Sequence, residues 1–312
     1  MKPHHVAIII VSCTILMFAC ANEKRIHFIR YYSRNPKEMF GTITKPSKTI
    51  PVNFAAHAKE IGECIKNEIK NYQNTRFMPI MHDATKGGKR LRGSILLSVC
   101  GPSVVKQNIA IKLASCIELI HCSSLILDDI MDEDIYRRGE PSIYYKYGIK
   151  DALMTSMLLL SCVGNMVKSD DNMSSKYSER FVSACNTLIQ GQMKDLNESD
   201  DIAALIDEKT SVLFGLAFEI GYDLSGQESD ATLEEVLEAG KLFGTAFQIS
   251  DDFDDVGKDS PKINYVLKYG PKAAKEKLRE IHDNCTAVFD RAGILNDDIK
   301  GLLIIYCGAN NR

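Results

Sequence analysis

The stretch SSLILDDIMDED, residues 123–134, runs from apolar side chains directly into a segment with five acidic ones. A second stretch, GTAFQISDDFDD at residues 244–255, has the same form. Both contain the pattern D-D-x-x-D, and on a helix the first and last positions of that pattern share one face. Carboxylates that converge at the end of an apolar helix repel one another, so they require a positively charged partner.

The two acidic stretches together predict one magnesium site. Mg²⁺ usually binds through a few carboxylates and the phosphates of a substrate, while keeping some of its waters. One such pattern alone is equally consistent with a solvated helix face, but two that each end an apolar helix favour a site at the mouth of an apolar core. That arrangement suits a ligand with a diphosphate head and a hydrocarbon tail. The predicted ligands are Asp128, Asp129, Asp132, Asp251, Asp252 and Asp255.

Two basic segments supply the charges that a diphosphate needs. GGKRLR, residues 87–92, contains three basic side chains after two glycines, and RRGEP, residues 137–141, follows the first acidic stretch. Arginine binds phosphate oxygens in a bidentate way, and lysine acts as a point charge. A lone basic pair is usually solvated surface, but here the glycines and the neighbouring acids favour a phosphate site.

The rest of the chain predicts an all-α protein. From about residue 53 to the end, apolar residues recur at three- and four-residue spacing, and no convincing alternating strand occurs. Several helices are apolar on more than one face, which is typical of the interior of a single large helical bundle. The 312 residues carry a formal net charge of −3, which gives no support for nucleic-acid binding.

The N-terminal region differs from this body. Residues 6–21, VAIIIVSCTILMFACA, form an apolar run without a charge, which would span roughly 24 Å as a helix. Three interpretations stay open: an uncleaved membrane anchor, which we favour, a cleaved signal peptide, or a buried helix. The basic residues that follow the run favour a body on the cytosolic side of the membrane, with the endoplasmic reticulum as a candidate.

These features divide the chain into three segments. Residues 1–21 are the hydrophobic anchor or signal segment, residues 22–52 are a basic, proline-containing linker, and residues 53–312 are the expected catalytic domain. The ten cysteines show no zinc-like spacing and lie mostly in apolar stretches. They indicate reduced thiols that act as small hydrophobic side chains, in agreement with a cytosol-facing body.

Six motifs resemble those of the trans-isoprenyl diphosphate synthases, the all-helical prenyltransferases that lengthen isoprenoid chains. GGKRLR, HCSSLILDDIMD, RRGEP, GQMKD, KTSVLF and FQISDDFDD occur in that family's order and approximate spacing, over residues 55–312. The resemblance implies the isoprenoid synthase helical bundle, a homodimer and three Mg²⁺ per active site. It also implies that Mg²⁺ promotes departure of the diphosphate of an allylic substrate. The double bond of isopentenyl diphosphate then attacks the allylic cation, and a proton is lost.

The resemblance also assigns roles to individual residues. Isopentenyl diphosphate would be held by Lys89, Arg92, His121 and Arg138. The allylic substrate would be contacted by Arg137, Lys209, Thr210 and Gln248. The residues expected to take part in catalysis are Asp128, Asp129, Asp132, Lys209, Gln248, Asp251 and Asp252. His121 has a second interpretation, since a lone histidine at the edge of an apolar helix is more often a packed core residue.

The residues just before the first acidic stretch bear on product length. In farnesyl-type members of the family, bulky aromatic residues commonly close the hydrocarbon pocket there, whereas this chain has Ser123 and Ser124. The run HCSSLILDDIMD looks most like that of geranylgeranyl diphosphate synthases, which implies a C20 product from farnesyl diphosphate or a shorter starter. On the next helix, the candidate floor residues are Met154, Met157 and Leu158, for which a core position is equally expected.

The chain departs from the family pattern in two places. Tyr144 stands where a histidine is frequent, and the segment after the second acidic stretch is short, with Lys258 or Lys262 as candidates for its diphosphate-binding lysine. Two other functions remain open: a terpene synthase on the same fold, or a non-catalytic partner subunit of a prenyl synthase. The second aspartate-rich stretch and the intact GGKRLR argue against the first, and the retention of both acidic stretches argues against the second.

Overall fold

In the computed structural model, helices form nearly all of the part of the chain that the structure describes, residues 51–102, 107–197, 201–256 and 264–308. This confirms the all-α prediction. The predicted N-terminal apolar helix, the linker up to residue 50, and Lys258 and Lys262 lie outside the described residues. The helices are α1 Asn53–Ile69, α2 Met78–Thr85, α3 Leu91–Cys100, α4 Gln107–Met131, α5 Ile143–Tyr147, α6 Ile149–Lys168, α7 Asp171–Leu196, α8 Ile202–Ile206, α9 Val212–Ser225, α10 Leu233–Asp255, α11 Tyr265–Arg291 and α12 Asp297–Cys307.

Helix α9 is the central helix of the bundle. Its sequence, VLFGLAFEIGYDLS, is apolar on almost every face, and nearly all of its residues are buried. It packs against α3 and α10. The contact with α10 is close because glycines meet there: a Cβ built on Gly240 would lie 2.9 Å from the Cα of Gly215. Small residues at such crossings let two backbones approach, and the large apolar side chains then pack around them.

Helices α4 and α10 carry the two acidic stretches at their C-terminal ends. A capping box fixes the start of α10: the Thr232 hydroxyl accepts from the Glu235 amide at 3.1 Å, and the Glu235 carboxylate accepts from the Thr232 amide at 2.7 Å. Among the described residues, α4 is the one helix long and apolar enough to cross a membrane, and 67% of its most apolar window is buried inside the protein. A core helix of the bundle accounts for both observations.

A very short β-hairpin follows α4. Its strands, Tyr136–Arg137 and Glu140–Pro141, pair antiparallel. The turn residues Arg138 and Gly139 both have positive φ, 56° and 81°, as a two-residue turn of type I′ requires. The sequence itself predicts no strand here, because a two-residue ladder is too short to produce an alternating pattern. The hairpin matters here because it carries both arginines of the RRGEP segment.

Tight packing of α10 against the turn before α9 can be tested at Gly244. A Cβ there would lie 2.6 Å from the Cα of Ser211, so Gly244→Ala should lower the free energy of unfolding by about 1–3 kcal/mol. The matched control is Gly164→Ala on α6, where nothing lies within 4 Å of the added methyl group. Helix propensity makes that change neutral or stabilising by up to about 1 kcal/mol. Chemical denaturation measures both, and equal effects would contradict this packing.

Candidate active site

Arg137 lies among the carboxylates at the end of α4. Its Nε donates to Asp129 at 2.6 Å, and its Nη2 reaches Asp128 and Asp134 at 3.4 and 3.3 Å. Asp129 is only 3% exposed, and burial raises its pKa, although Arg137 opposes that shift. Burial alone would lower the pKa of Arg137, but the three carboxylates outweigh it, and its pKa is raised. The guanidinium therefore keeps its charge within the acidic stretch.

Lys209 joins this stretch to a second helix. Its Nζ donates to Asp128 of α4 at 3.1 Å and to Asp195 of α7 at 2.6 Å. Burial works against the ammonium charge, but the two carboxylates outweigh it and raise the pKa of Lys209. Lys209 is therefore protonated at neutral pH.

Asp195 completes a three-carboxylate group that sequence analysis missed. Single oxygens of Asp128, Asp132 and Asp195 lie within 4.8 Å of one another. Oxygen-only donors at this spacing fit a hard divalent cation such as Mg²⁺. The available signal was the motif GQMKD, residues 191–195, which entered the resemblance without a role for its aspartate.

The turn that presents Lys209 and Thr210 is a π-helical segment, Asp207–Ser211, between α8 and α9. Such segments are rare and occur mainly at functional sites, because they displace side chains from the regular helical register. Two glycines allow neighbouring helices to approach this turn. A Cβ on Gly191 would lie 2.8 Å from the Cβ of Glu208, and Gly244 meets Ser211 on the other side.

The second acidic stretch is anchored through Asp252. One of its carboxylate oxygens accepts from Gln248 at 2.8 Å, and the other accepts from the backbone amide of Tyr265 at 2.7 Å. Burial raises the pKa of Asp252 to about 6, against the effect of these two donors. Since protein groups hold both oxygens, Asp252 orients the stretch against the start of α11. Asp251 and Asp255, which share a helix face, are the stronger candidates for direct metal ligands.

A continuous set of contacts links the two acidic stretches. Lys209 binds Asp128, and its sequence neighbour Thr210 donates to Gln248 at 3.1 Å, which in turn donates to Asp252. The π-helical turn therefore contacts the first stretch directly, through Asp128, and reaches the second through Gln248. The structure brings the predicted metal ligands and the predicted allylic-substrate residues together in this way, while their roles remain predictions.

Beside this turn lie Arg92, His121 and Arg138, three side chains close enough to interact electrostatically and called here the cationic pocket. Arg92 is 9% exposed, and its guanidinium stacks over the Phe214 ring at 4.4 Å. Burial lowers its pKa to about 10, so it stays protonated at neutral pH. Among the described residues, its buried Nε finds no hydrogen-bond partner. Buried donors are rarely left unpaired, and a phosphate oxygen would satisfy this one.

His121 and Arg138 complete the pocket. Burial, followed by the charges of Arg92, Arg138 and Arg137, lowers the pKa of His121 well below its ordinary value. The imidazole is therefore neutral, and one ring nitrogen can donate to an anion. Arg138 lies directly over the glycine loop, since a Cβ on Gly88 would be 2.6 Å from its Nη1. The loop that carries the exposed Lys89 thus touches the hairpin that carries Arg138.

These features define a class: an all-helical protein with a carboxylate cluster that could hold a divalent cation and an adjoining set of cationic side chains that could bind phosphate. The family model for polyprenyl synthetases matches residues 74–267. A geranylgeranyl diphosphate synthase of Pantoea ananas is 33% identical over 218 residues, which cover 62% of this chain and 72% of that protein. A nonaprenyl diphosphate synthase of Mycobacterium tuberculosis is 27% identical over 236 residues, 73% of this chain and 69% of that protein.

The same architecture occurs in a geranyltranstransferase from Thermotoga maritima. Its crystal structure matches with a TM-score of 0.70 at 24% identity, covering 81% of this chain and 96% of that one. The isoprenoid synthase type of bundle, predicted from the motifs, is therefore confirmed. The chain belongs to the polyprenyl synthetase family, and its activity is that of a trans-prenyltransferase.

Removing one carboxylate from each acidic stretch tests the shared site. Asp128→Ala and Asp251→Ala should each abolish prenyl transfer, because each removes a predicted metal ligand. The helical content should stay unchanged, since neither side chain belongs to the apolar core. Product formation and far-UV circular dichroism measure the two effects, and Asp290→Ala, at an exposed position on α11, is the control. Full activity in either site variant would contradict a site shared by the two stretches.

Proposed function

We propose that this protein condenses isopentenyl diphosphate with an allylic diphosphate in a Mg²⁺-dependent reaction, giving geranylgeranyl diphosphate and free diphosphate. One observation supports this most strongly: the contacts from Asp128 through Lys209 and Thr210 to Gln248 and Asp252, which put two acidic stretches on one turn. The cationic pocket beside that turn supplies a place for a second diphosphate. Two sites that could each bind a diphosphate, next to an apolar bundle, match two diphosphate substrates with hydrocarbon tails.

The first half of the reaction is departure of the allylic diphosphate. Mg²⁺ bound by the carboxylates would act as a Lewis acid that stabilises the leaving diphosphate. Lys209 and Arg137 keep their positive charges beside those carboxylates and add to that stabilisation as the carbon–oxygen bond breaks. Thr210 and Gln248 fix the position of the lysine-bearing turn relative to α10.

The second half is attack by isopentenyl diphosphate. Arg92 and Arg138 would bind its diphosphate as charged donors, neutral His121 would add a hydrogen bond, and Lys89 lies on the glycine loop beside Arg138. Held there, its double bond attacks the allylic cation to form the new carbon–carbon bond. The proton that leaves is taken up by the released diphosphate. Positioning of the two reactants next to each other supplies much of the rate enhancement.

A C20 product is supported by the small residues before the first acidic stretch. Ser124 precedes Asp128 by one helical turn and shares its face, so it lies one turn deeper along the path of a bound tail. Ser123 is buried against α6, with its hydroxyl 2.8 Å from that of Ser156.

On α6, Met157 is half-buried, whereas Met154 is 43% exposed and is the weaker candidate for the pocket floor. The Pantoea relative's name agrees with C20, and the mycobacterial relative's name makes a longer product the main alternative.

Product analysis tests the proposal. The full chain would be incubated with Mg²⁺, labelled isopentenyl diphosphate and each of the C5, C10 and C15 allylic starters, and the dephosphorylated products separated by length. We expect a dominant C20 alcohol. A C15 or much longer alcohol would support the condensation reaction but refute the C20 product length. Consumption of the allylic substrate without elongation would refute the condensation and favour a terpene synthase.

The small side chain of Ser124 leads to a separate prediction. Ser124→Phe should shift the main product from C20 to C15, because the ring would occupy the space one turn below the first acidic stretch. Met157→Ala should lengthen the product if that side chain forms the floor, and Met154→Ala, at the exposed position, is the control that should leave it unchanged. The same chromatographic assay measures all three. An unchanged C20 product from a well-folded Ser124→Phe variant would place the length determinant elsewhere.

A further inference from the structure

Asp83 accepts hydrogen bonds from three side chains near the surface of the bundle. It lies in the last turns of α2, and its side chain is only 14% exposed. Lys86 and Lys146 each place Nζ at 2.6 Å from one of its oxygens, and the Tyr147 hydroxyl donates at 3.0 Å. None of these four residues belongs to the motifs that define the catalytic site.

The donors come from two separate parts of the chain. Lys86 opens the glycine loop that leads to Lys89, whereas Lys146 and Tyr147 belong to α5, which directly follows the hairpin that carries Arg138. Asp83 therefore ties together the two segments that form the cationic pocket. The end of the loop is tied to the same helix, since Arg90 donates to the Thr85 carbonyl oxygen at 2.7 Å.

The charge of Asp83 is secure at every physiological pH. Partial burial would raise its pKa, but the donors from Lys146, Lys86 and Tyr147 outweigh burial and lower the pKa to about 2. Ion pairs at the protein surface add little to global stability, because solvent screens them and long side chains lose freedom. The main effect of this cluster is therefore on position, because it fixes the glycine loop relative to the hairpin.

We propose that Asp83 is a positioning residue for the isopentenyl diphosphate pocket, and that it acts by holding the glycine loop and Lys89 against Arg138. This inference rests on the proposed function of that pocket. Arg138 contacts the loop so closely at Gly88 that a small displacement of the loop changes the separation of the charges around the diphosphate. A misplacement of about 1 Å in such a site can weaken function strongly.

Steady-state kinetics of the Asp83→Asn variant tests this inference. We expect the KM for isopentenyl diphosphate to rise three- to tenfold, with kcat and the KM for the allylic substrate within twofold of the wild type. The melting temperature should fall by no more than about 3 °C, as for loss of a surface ion pair. The matched control is Asp151→Asn, which breaks the 2.6 Å ion pair with Arg76 and touches neither basic segment. It should leave both KM values unchanged.

Two further variants remove the donors and keep the test decisive if Asp83→Asn folds poorly. Lys146→Met and Tyr147→Phe should raise the same KM in the same direction, by less than Asp83→Asn. Because the residues act as one unit, Asp83→Asn combined with Lys146→Met should be no worse than Asp83→Asn alone. A double variant whose rise in KM equals the product of the two single rises would contradict a shared mechanism.

Three further outcomes would overturn the inference. The first is an unchanged KM for isopentenyl diphosphate in folded Asp83→Asn, and the second is an equal loss in every kinetic parameter together with a large fall in melting temperature. If the wild type makes no elongated product, the proposed function fails, and calorimetric binding of isopentenyl diphosphate then tests the positioning role by itself. Equal affinity of wild type and Asp83→Asn in that measurement is the third outcome, whereas a three- to tenfold weaker variant supports the inference.

Discussion

The candidate active site is arranged around one interaction, the pairing of the Lys209 ammonium group with both Asp128 of α4 and Asp195 of α7. Charges taken out of water are costly unless close partners compensate them. Here the carboxylates of Asp128, Asp129, Asp134 and Asp195 each have a cation beside them, from Lys209 or from Arg137. Under the proposed function, the same cations that neutralise these carboxylates would also bind the diphosphate of the substrate.

This arrangement depends on close helix packing. The π-helical turn that carries Lys209 approaches α7 and α10 only because Gly191 and Gly244 have no side chain. On the far side of the turn, the apolar helix α9 anchors it in the core, and its Phe214 ring supports the guanidinium of Arg92. Packing of the bundle and placement of the charged groups are therefore coupled: a shift of α9 or α10 would move both anion sites at once.

Much of this site could be predicted from the sequence because its main residues lie in short, contiguous motifs. The two D-D-x-x-D stretches lie on single helices, so their spacing alone predicts which carboxylates share a face. Asp195 and Asp83 were not predicted, since each contributes through contacts between segments far apart in the chain, which spacing does not encode. The predicted position of Met154 was also wrong. Its apolar side chain favoured a pocket floor or a core position, yet it is 43% exposed in the folded chain. Helical periodicity predicts that a helix has an apolar face, but it does not predict what that face contacts.

In the proposed function, both acidic stretches hold metal around one diphosphate. The most direct measurement is a crystal structure with inorganic diphosphate and Mn²⁺, in which anomalous scattering locates each ion. We expect ions on both sides of the diphosphate, one bound by the carboxylates of Asp128, Asp132 and Asp195 and another by the second stretch through Asp251, with Lys209 and Arg137 on diphosphate oxygens. Ions at one acidic stretch alone, or a diphosphate bound away from the π-helical turn, would contradict the claim.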